Sequence, residues 1–143
     1  MDQRVDVAIG VLVENRDGGP RVLIARRPDG AVLSGLWELP GGKLERGESP
    51  RDCLVREYRE ELGVDVRVGA AMAVIEHDYP HGRVRLHAFL CTRDRGEPRN
   101  LQVAEHRWAT RQELTTYNFP PANNELMKHL SHRLRDMEQG QPT

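Results

Sequence analysis

The sequence predicts an α/β fold in which a mixed sheet lies between helical layers. Three observations predict it. Residues 5–13 and 83–91 alternate with the two-residue period of strands, residues 49–63 carry the start and stop signals of one helix, and Leu126, Leu130 and Leu134 repeat at the four-residue spacing of another. Strands with helices interleaved and following belong to this class.

Val5, Val7, Ile9, Val11 and Val13 alternate with Asp6, Ala8, Gly10 and Leu12, which predicts a strand with one strongly apolar face. Asn15 to Pro20 turns the chain, and Arg21 to Arg27 returns as the hairpin partner. Residues 28–36 read as loop, and Trp37 to Gly42 leads into the first helix. That helix has Ser49 as N-cap, Pro50 at its first position, Asp52 in its first turn and Gly63 as a left-handed terminator. Val64 to Asp78 reads as extended with a bend near Gly69, and Val84, Leu86, Ala88 and Leu90 oppose Arg83, Arg85 and His87 in the next strand. Residues 93–102 form a polar loop, His106 to Ala109 a short strand, and Thr110 to Glu113 a capping box. The last helix carries Met127 and Met137 beside its leucines. One domain over residues 1–137 and a disordered tail at 138–143 are expected.

A chain of 143 residues is long enough for a good core, and its formal net charge of −1 argues against a general nucleic-acid binder. An anionic substrate must then be met by local basic residues. Cys53 and Cys91 form no CxxC pair; a disulfide between them is one reading, and free, partly buried thiols in a reducing cytosol are the simpler one. No apolar run reaches membrane-spanning length and no leader pattern is present, which sets a cytoplasmic expectation.

The stretch that carries chemistry runs from Gly42 to Val64. Gly42, five residues, Glu48, seven residues, and then Arg56-Glu57-Tyr58-Arg59-Glu60-Glu61-Leu62-Gly63-Val64, with Arg59 and Leu62 as spacers, give nine positions at fixed spacing. On a helix Glu57 is a surface neighbour of both Glu60 and Glu61. Leu54, Val55, Tyr58 and Leu62 fall on an adjacent apolar stripe. Crowded carboxylates repel unless a cation neutralises them. Hard oxygen ligands suit Mg2+, with Mn2+ as substitute, and such ions bridge carboxylates to phosphates. Metal-assisted phosphoryl or pyrophosphoryl chemistry follows as the leading expectation.

This stretch resembles the Nudix box, the signature of hydrolases of nucleoside diphosphates linked to another group. Tyr58 stands where that family more often has Leu, Ile or Val, and altered packing is expected there. Leu36-Trp37-Glu38-Leu39-Pro40-Gly41-Gly42-Lys43 and Phe119-Pro120-Pro121-Ala122-Asn123 are similar to segments of MutT-type enzymes, which hydrolyse oxidised purine nucleoside triphosphates. The resemblance implies an α/β/α sandwich. It implies metal ligation by Glu57, Glu60, Glu61 and the carbonyl of Gly41, with Glu48 and Arg56 paired and Gly42 and Gly63 as structural glycines. It also implies water attack at the β-phosphorus, giving nucleoside monophosphate and pyrophosphate. For the general base, Glu61, Glu57 and Glu105 all stand as candidates, with Glu97 behind them. Gln102, which falls where MutT-type enzymes recruit a further Glu, is no base.

Asn123 is the candidate for base recognition, since one amide both donates and accepts; it is also placed to cap the last helix, a role open to Asn124 too. Arg27 is a candidate for contacting the nucleotide and Lys43 for the phosphates, with Leu39 and Tyr79 for the wall against the base. His129 and His132 have a metal-like spacing but no third ligand, and zinc is not indicated. Three functions follow: a sanitising hydrolase for oxidised purine triphosphates such as 8-oxo-dGTP, a pyrophosphohydrolase of pyrimidine or broad specificity, and a non-catalytic damaged-base recognition module. A monomer or homodimer without a stable nucleic-acid complex is expected.

Overall fold

In the first strand, β1 (Arg4–Arg16), residues 8–12 are all buried, although the alternation predicts a single apolar face. A central strand covered on both sides explains this. The computed structural model describes residues 4–30, 35–80 and 82–140. His81, part of the expected 28–36 loop and the end of the expected tail lie outside these residues.

The chain continues through β2 (Gly19–Arg26), β3 (Trp37–Glu38), β4 (Gly41–Lys43), α1 (Pro50–Leu62), β5 (Asp65–Tyr79), β6 (Gly82–Arg95), β7 (Glu105–Ala109), α2 (Arg111–Leu114) and α3 (Asn124–Glu138). The sheet runs β3-β2-β1-β6-β5, with β4 also on β1 and β7 also on β2. It is mixed: β1 and β6 are parallel from Arg4↔Arg83 to Leu12↔Cys91, while the other pairs are antiparallel. Asp17 and Gly18, both at positive φ, turn β1 into β2, a tighter hairpin than the six-residue turn expected. The bend expected near Gly69 is a pair of register shifts, at Val68/Ala71 and Ala71/Ala73. Pairing with β5 carries β6 to Arg95, past the start of the expected polar loop.

Two cores form, one on each sheet face. Leu126, Leu130 and Leu134 of α3 pack with Ile9, Val11, Val22, Ile24 and Leu86. Leu54, Tyr58 and Leu62 of α1 pack with Ala8, Leu12, Leu23 and Phe89 on the other. This is the α/β/α arrangement that the resemblance implies. Ser49 caps α1 by accepting from the Asp52 amide at 3.1 Å, and Gly63 closes it in the left-handed conformation with its amide on Arg59 O. The loop after β6 then covers that helix end, because the amides of Arg99 and Gln102 donate to the carbonyls of Leu62 and Glu61. Glu138, expected in the tail, is the last residue of α3 and accepts from Nη2 and Nε of Arg111 at 2.9 and 3.0 Å. Cys53 and Cys91 are free and buried. Among the described residues no helix is long and apolar enough to cross a membrane.

Candidate active site

Alternation along β1 and β6 turns Val7, Ile9, Val84 and Leu86 into a cleft of about 580 Å3, and Leu39, Tyr79, Pro120, Ala122 and Asn123 extend this apolar wall. The remaining lining is mostly polar and includes Arg27, Glu38, Lys43, Arg56, Glu57, Glu61 and Gln102, with the backbone of Gly41 and Gly42. Sequence segments far apart meet here because β4 and β6 both pair with the first half of β1.

Glycine is required where the box loop crosses that strand. Gly41 has φ +155°, and a Cβ there would lie 2.0 Å from Ala8 O. A Cβ at Gly42 would lie 2.7 Å from Oε1 of Glu57, so the missing side chain lets a carboxylate lie against the backbone.

Arg56 organises the acidic residues around it. Its Nε and Nη2 reach the two oxygens of Glu48 at 2.8 and 2.9 Å, its Nη1 reaches Glu57 at 2.8 Å and Glu60 at 3.2 Å, and Nη2 also donates to Lys43 O at 3.2 Å. The Glu48 side chain is 11% exposed, and this guanidinium draws its pKa down to about 2. The pair expected in the motif is therefore formed in bidentate geometry, with Arg56 at the cleft lining and Glu48 beyond it.

Glu61 is in the opposite condition. It is 7% exposed, and its Oε2 has no hydrogen-bond partner among the described residues. Burial pushes its pKa far above the ordinary carboxylate range, and a hydrogen bond with Glu57 and the charges of Glu38 and Glu57 add to the shift. Glu38 shifts upward as well, chiefly by burial, against the opposing pull of Arg27, whose Nη1 lies 2.7 Å from Oε2 of Glu38. Sequence reasoning missed Glu38 as a site residue. Its signal was a carboxylate between Trp37 and Leu39, both buried, where a charge needs a partner; strand pairing of Ala25 with Glu38 brings Arg27 to it.

These donors fit a divalent cation. A buried carboxyl with an unpartnered oxygen, hydrogen-bonded to a second carboxylate beside a third, is the arrangement that a hard cation relieves. Among the described residues no three acidic, His or Cys side chains form a ready-made cage. Glu57 and Glu61 meet in the cleft, whereas Glu60 is about half exposed and faces Arg56.

Arg27, Leu39, Lys43, Tyr79 and Asn123 all line the cleft. Asn123 is 5% exposed and makes no side-chain cap to α3, so the capping role open to it is not formed. Glu105 does not line the cleft: Arg26 Nε lies 3.0 Å from one of its oxygens and Arg107 Nη2 3.0 Å from the other. Glu97 is exposed and lies 2.9 Å from Arg93. His129 and His132 are exposed on α3, His87 lies 3.0 Å from Asp6, and the His77 ring lies 4.6 Å from that of Tyr79, tilted by 59°.

The NUDIX domain family model matches residues 9–129. The chain is 30% identical over 128 residues to the 8-oxo-dGTP diphosphatase of Escherichia coli, covering 90% of this chain and 97% of that protein. It is 37% identical over 123 residues to the CTP pyrophosphohydrolase of the same organism, covering 84% and 87%. The solution structure of the E. coli ORF135 protein superposes with a TM-score of 0.75 at 32% identity, over 94% of this chain and 92% of that one. With the box geometry in place and these relatives spanning nearly its whole length, the chain belongs to the NUDIX domain family, as a hydrolase of the MutT type.

Proposed function

We propose that the protein is a Mg2+-dependent nucleoside triphosphate pyrophosphohydrolase that clears oxidised purine nucleotides such as 8-oxo-dGTP from the cytosolic pool. The observation that carries this reading is one cleft holding both the Glu57–Glu61 pair and an apolar wall that contains the buried amide of Asn123. The wall accepts a base, the amide can pair with a base edge, and the carboxylates lie where a polyphosphate would continue.

Mg2+, or Mn2+ in its place, held by Glu57, Glu61 and the carbonyl of Gly41, would neutralise phosphate charge and acidify a bound water. Glu60 lies beside these ligands on the same helix and completes the acidic set. Arg27 and Lys43 supply cationic donors for the phosphate oxygens. Arg56 steadies Glu57 from behind while Glu48 holds Arg56. The proton of the attacking water passes to Glu57 or Glu61, the two box carboxylates that line the cleft. Attack on the β-phosphorus leaves nucleoside monophosphate and pyrophosphate.

An 8-oxopurine presents an N7–H donor and a C8 carbonyl that its parent lacks. An amide that pairs with the oxidised edge and loses a partner with the parent discriminates by about 1–3 kcal/mol. A pyrimidine substrate is the second reading, favoured by the 37% identity with the CTP pyrophosphohydrolase. Initial rates with 8-oxo-dGTP, dGTP, CTP and dCTP, with and without Mg2+, separate them. Expected are Mg2+-dependent pyrophosphate release and a kcat/KM for 8-oxo-dGTP at least about tenfold above the others. A preference for CTP selects the second reading, and release of inorganic phosphate overturns the proposed bond.

A further inference from the structure

Tyr58 is fully buried, and its hydroxyl has no hydrogen-bond partner among the described residues. Its ring fills a notch that exists only because residue 10 is glycine. A Cβ on Gly10 would lie 2.5 Å from both Cε2 and Oη of Tyr58, and 2.9 Å from Cζ. Strand and helix are therefore fitted to each other at this one point, tighter than ordinary packing allows for any other residue at position 10.

The same strand residue holds the loop that crosses the site. The amide of Gly10 donates to Pro40 O at 2.9 Å, and its neighbours Ile9 and Ala8 pair with Gly41 and Gly42. On α1, Tyr58 follows Glu57 directly and precedes Glu61 by three residues, so Tyr58 and Glu61 share a helix face. A rotation of about 10° of a helix about 10–12 Å across moves its side chains by about 1 Å. Displacements of that size cost about a hundredfold in rate when they misplace reacting groups.

We infer that Tyr58 is a positioning residue for the box carboxylates: its ring, seated on Gly10, fixes the rotation of α1 and so sets where Glu57 and Glu61 stand relative to the Gly41–Gly42 backbone. The inference rests on the proposed role of those two glutamates. It assigns no contact with substrate to Tyr58. It explains the close pairing of the largest fully buried side chain among the described residues with a glycine in mid-strand, a residue that otherwise weakens a strand.

The test compares Tyr58→Phe, Tyr58→Leu, Gly10→Ala and the double variant Tyr58→Leu/Gly10→Ala. The readouts are kcat and KM with 8-oxo-dGTP or CTP, whichever wild type turns over, and half-saturation by Mn2+ measured by electron paramagnetic resonance without substrate. Tyr58→Phe keeps the ring and retains wild-type Mn2+ half-saturation and kcat within about twofold. Tyr58→Leu empties the notch: kcat falls at least tenfold with KM nearly unchanged, and half-saturating Mn2+ rises several-fold. Gly10→Ala is harmful in the wild-type background but beneficial in the Tyr58→Leu background, because the added methyl then fills the space. Tyr58→Met, nearer in volume, replaces Tyr58→Leu if the latter does not fold, with the same expectations. A Tyr58→Leu or Tyr58→Met protein that is less stable yet keeps wild-type kcat and Mn2+ half-saturation overturns the inference, as does equal harm from Gly10→Ala in both backgrounds. Wild-type protein that binds no Mn2+ or hydrolyses no nucleotide would instead overturn the proposed function.

Discussion

Replacing Glu61 by Gln separates stability from catalysis, because the side chain keeps its shape and loses its ionisation. Burial, then the hydrogen bond with Glu57 and the charges of Glu38 and Glu57, lift the Glu61 pKa far above the reference value of 4.5. In protein stripped of divalent ions the folded chain keeps a proton there that the unfolded chain gives up. A carboxyl with a raised folded-state pKa adds its full stability below the unfolded value and loses it as pH climbs towards the folded one. The stripped protein should therefore weaken steadily above pH 4.5. One proton corresponds to about 1.4 kcal/mol per pH unit, so the loss between about pH 6 and about pH 8 is at most roughly 2.5–3 kcal/mol. For a domain of this size that is roughly 5–10 °C in Tm. Thermal unfolding in EDTA across that range measures it. Wild type should lose several degrees and Glu61→Gln less than half as much, the remainder coming from Glu38, whose pKa is also raised. Mg2+ should restore wild type at high pH and have little effect on Glu61→Gln, which should also lose at least about a hundredfold in kcat. Equal pH slopes for the two proteins would refute the assignment of a buried proton to this residue.

Glu105→Gln should leave kcat within about threefold of wild type, since exposed and half-exposed ion pairs such as those with Arg26 and Arg107 contribute about 1 kcal/mol or less; steady-state kinetics would show a larger loss if Glu105 were the base. Asn123→Ala should lower kcat/KM for the preferred base by roughly 5- to 150-fold and flatten the substrate panel, because a base edge loses its partner. Glu14→Gln tests the acid limb: Arg93 hydrogen-bonds Glu14 at 2.6 and 3.0 Å and holds its pKa below 4.5. Stability from this pair is present above the unfolded value and lost as pH falls through the depressed one. Urea titrations should thus show Glu14→Gln weaker by about 1–2 kcal/mol near neutrality, with the gap closing in acid.

The box helix was legible from residues 49–63 because its signals are local. Ser49 supplies an oxygen to an amide three residues on, and Gly63 supplies a left-handed residue next to the last turn. The crowding of Glu57, Glu60 and Glu61 was equally legible, since helical spacing alone makes them neighbours. Asn123 could be named but not assigned. Capping and base recognition ask for the same amide, and only the fold shows that the side chain leaves α3 uncapped and is buried in the cleft wall.

Long-range pairing decided the rest. The burial of both faces of β1 follows from two helices that the strand cannot announce. The pairing of Glu38 with Arg27 follows from register between β2 and β3, and the removal of Glu105 from the cleft follows from register between β2 and β7. The parallel contact of β1 with β6 joins residues about eighty positions apart, and nothing in either strand's alternation specifies it. By itself the sequence determined the helix that carries the acidic residues, their crowding on it, and the α/β class. The tertiary structure alone decided which carboxylates share a cleft, which are taken by arginines, and where Tyr58 seats α1 on β1. Side-chain periodicity records which way a residue points, whereas its charge state and its partners depend on what the fold brings against it.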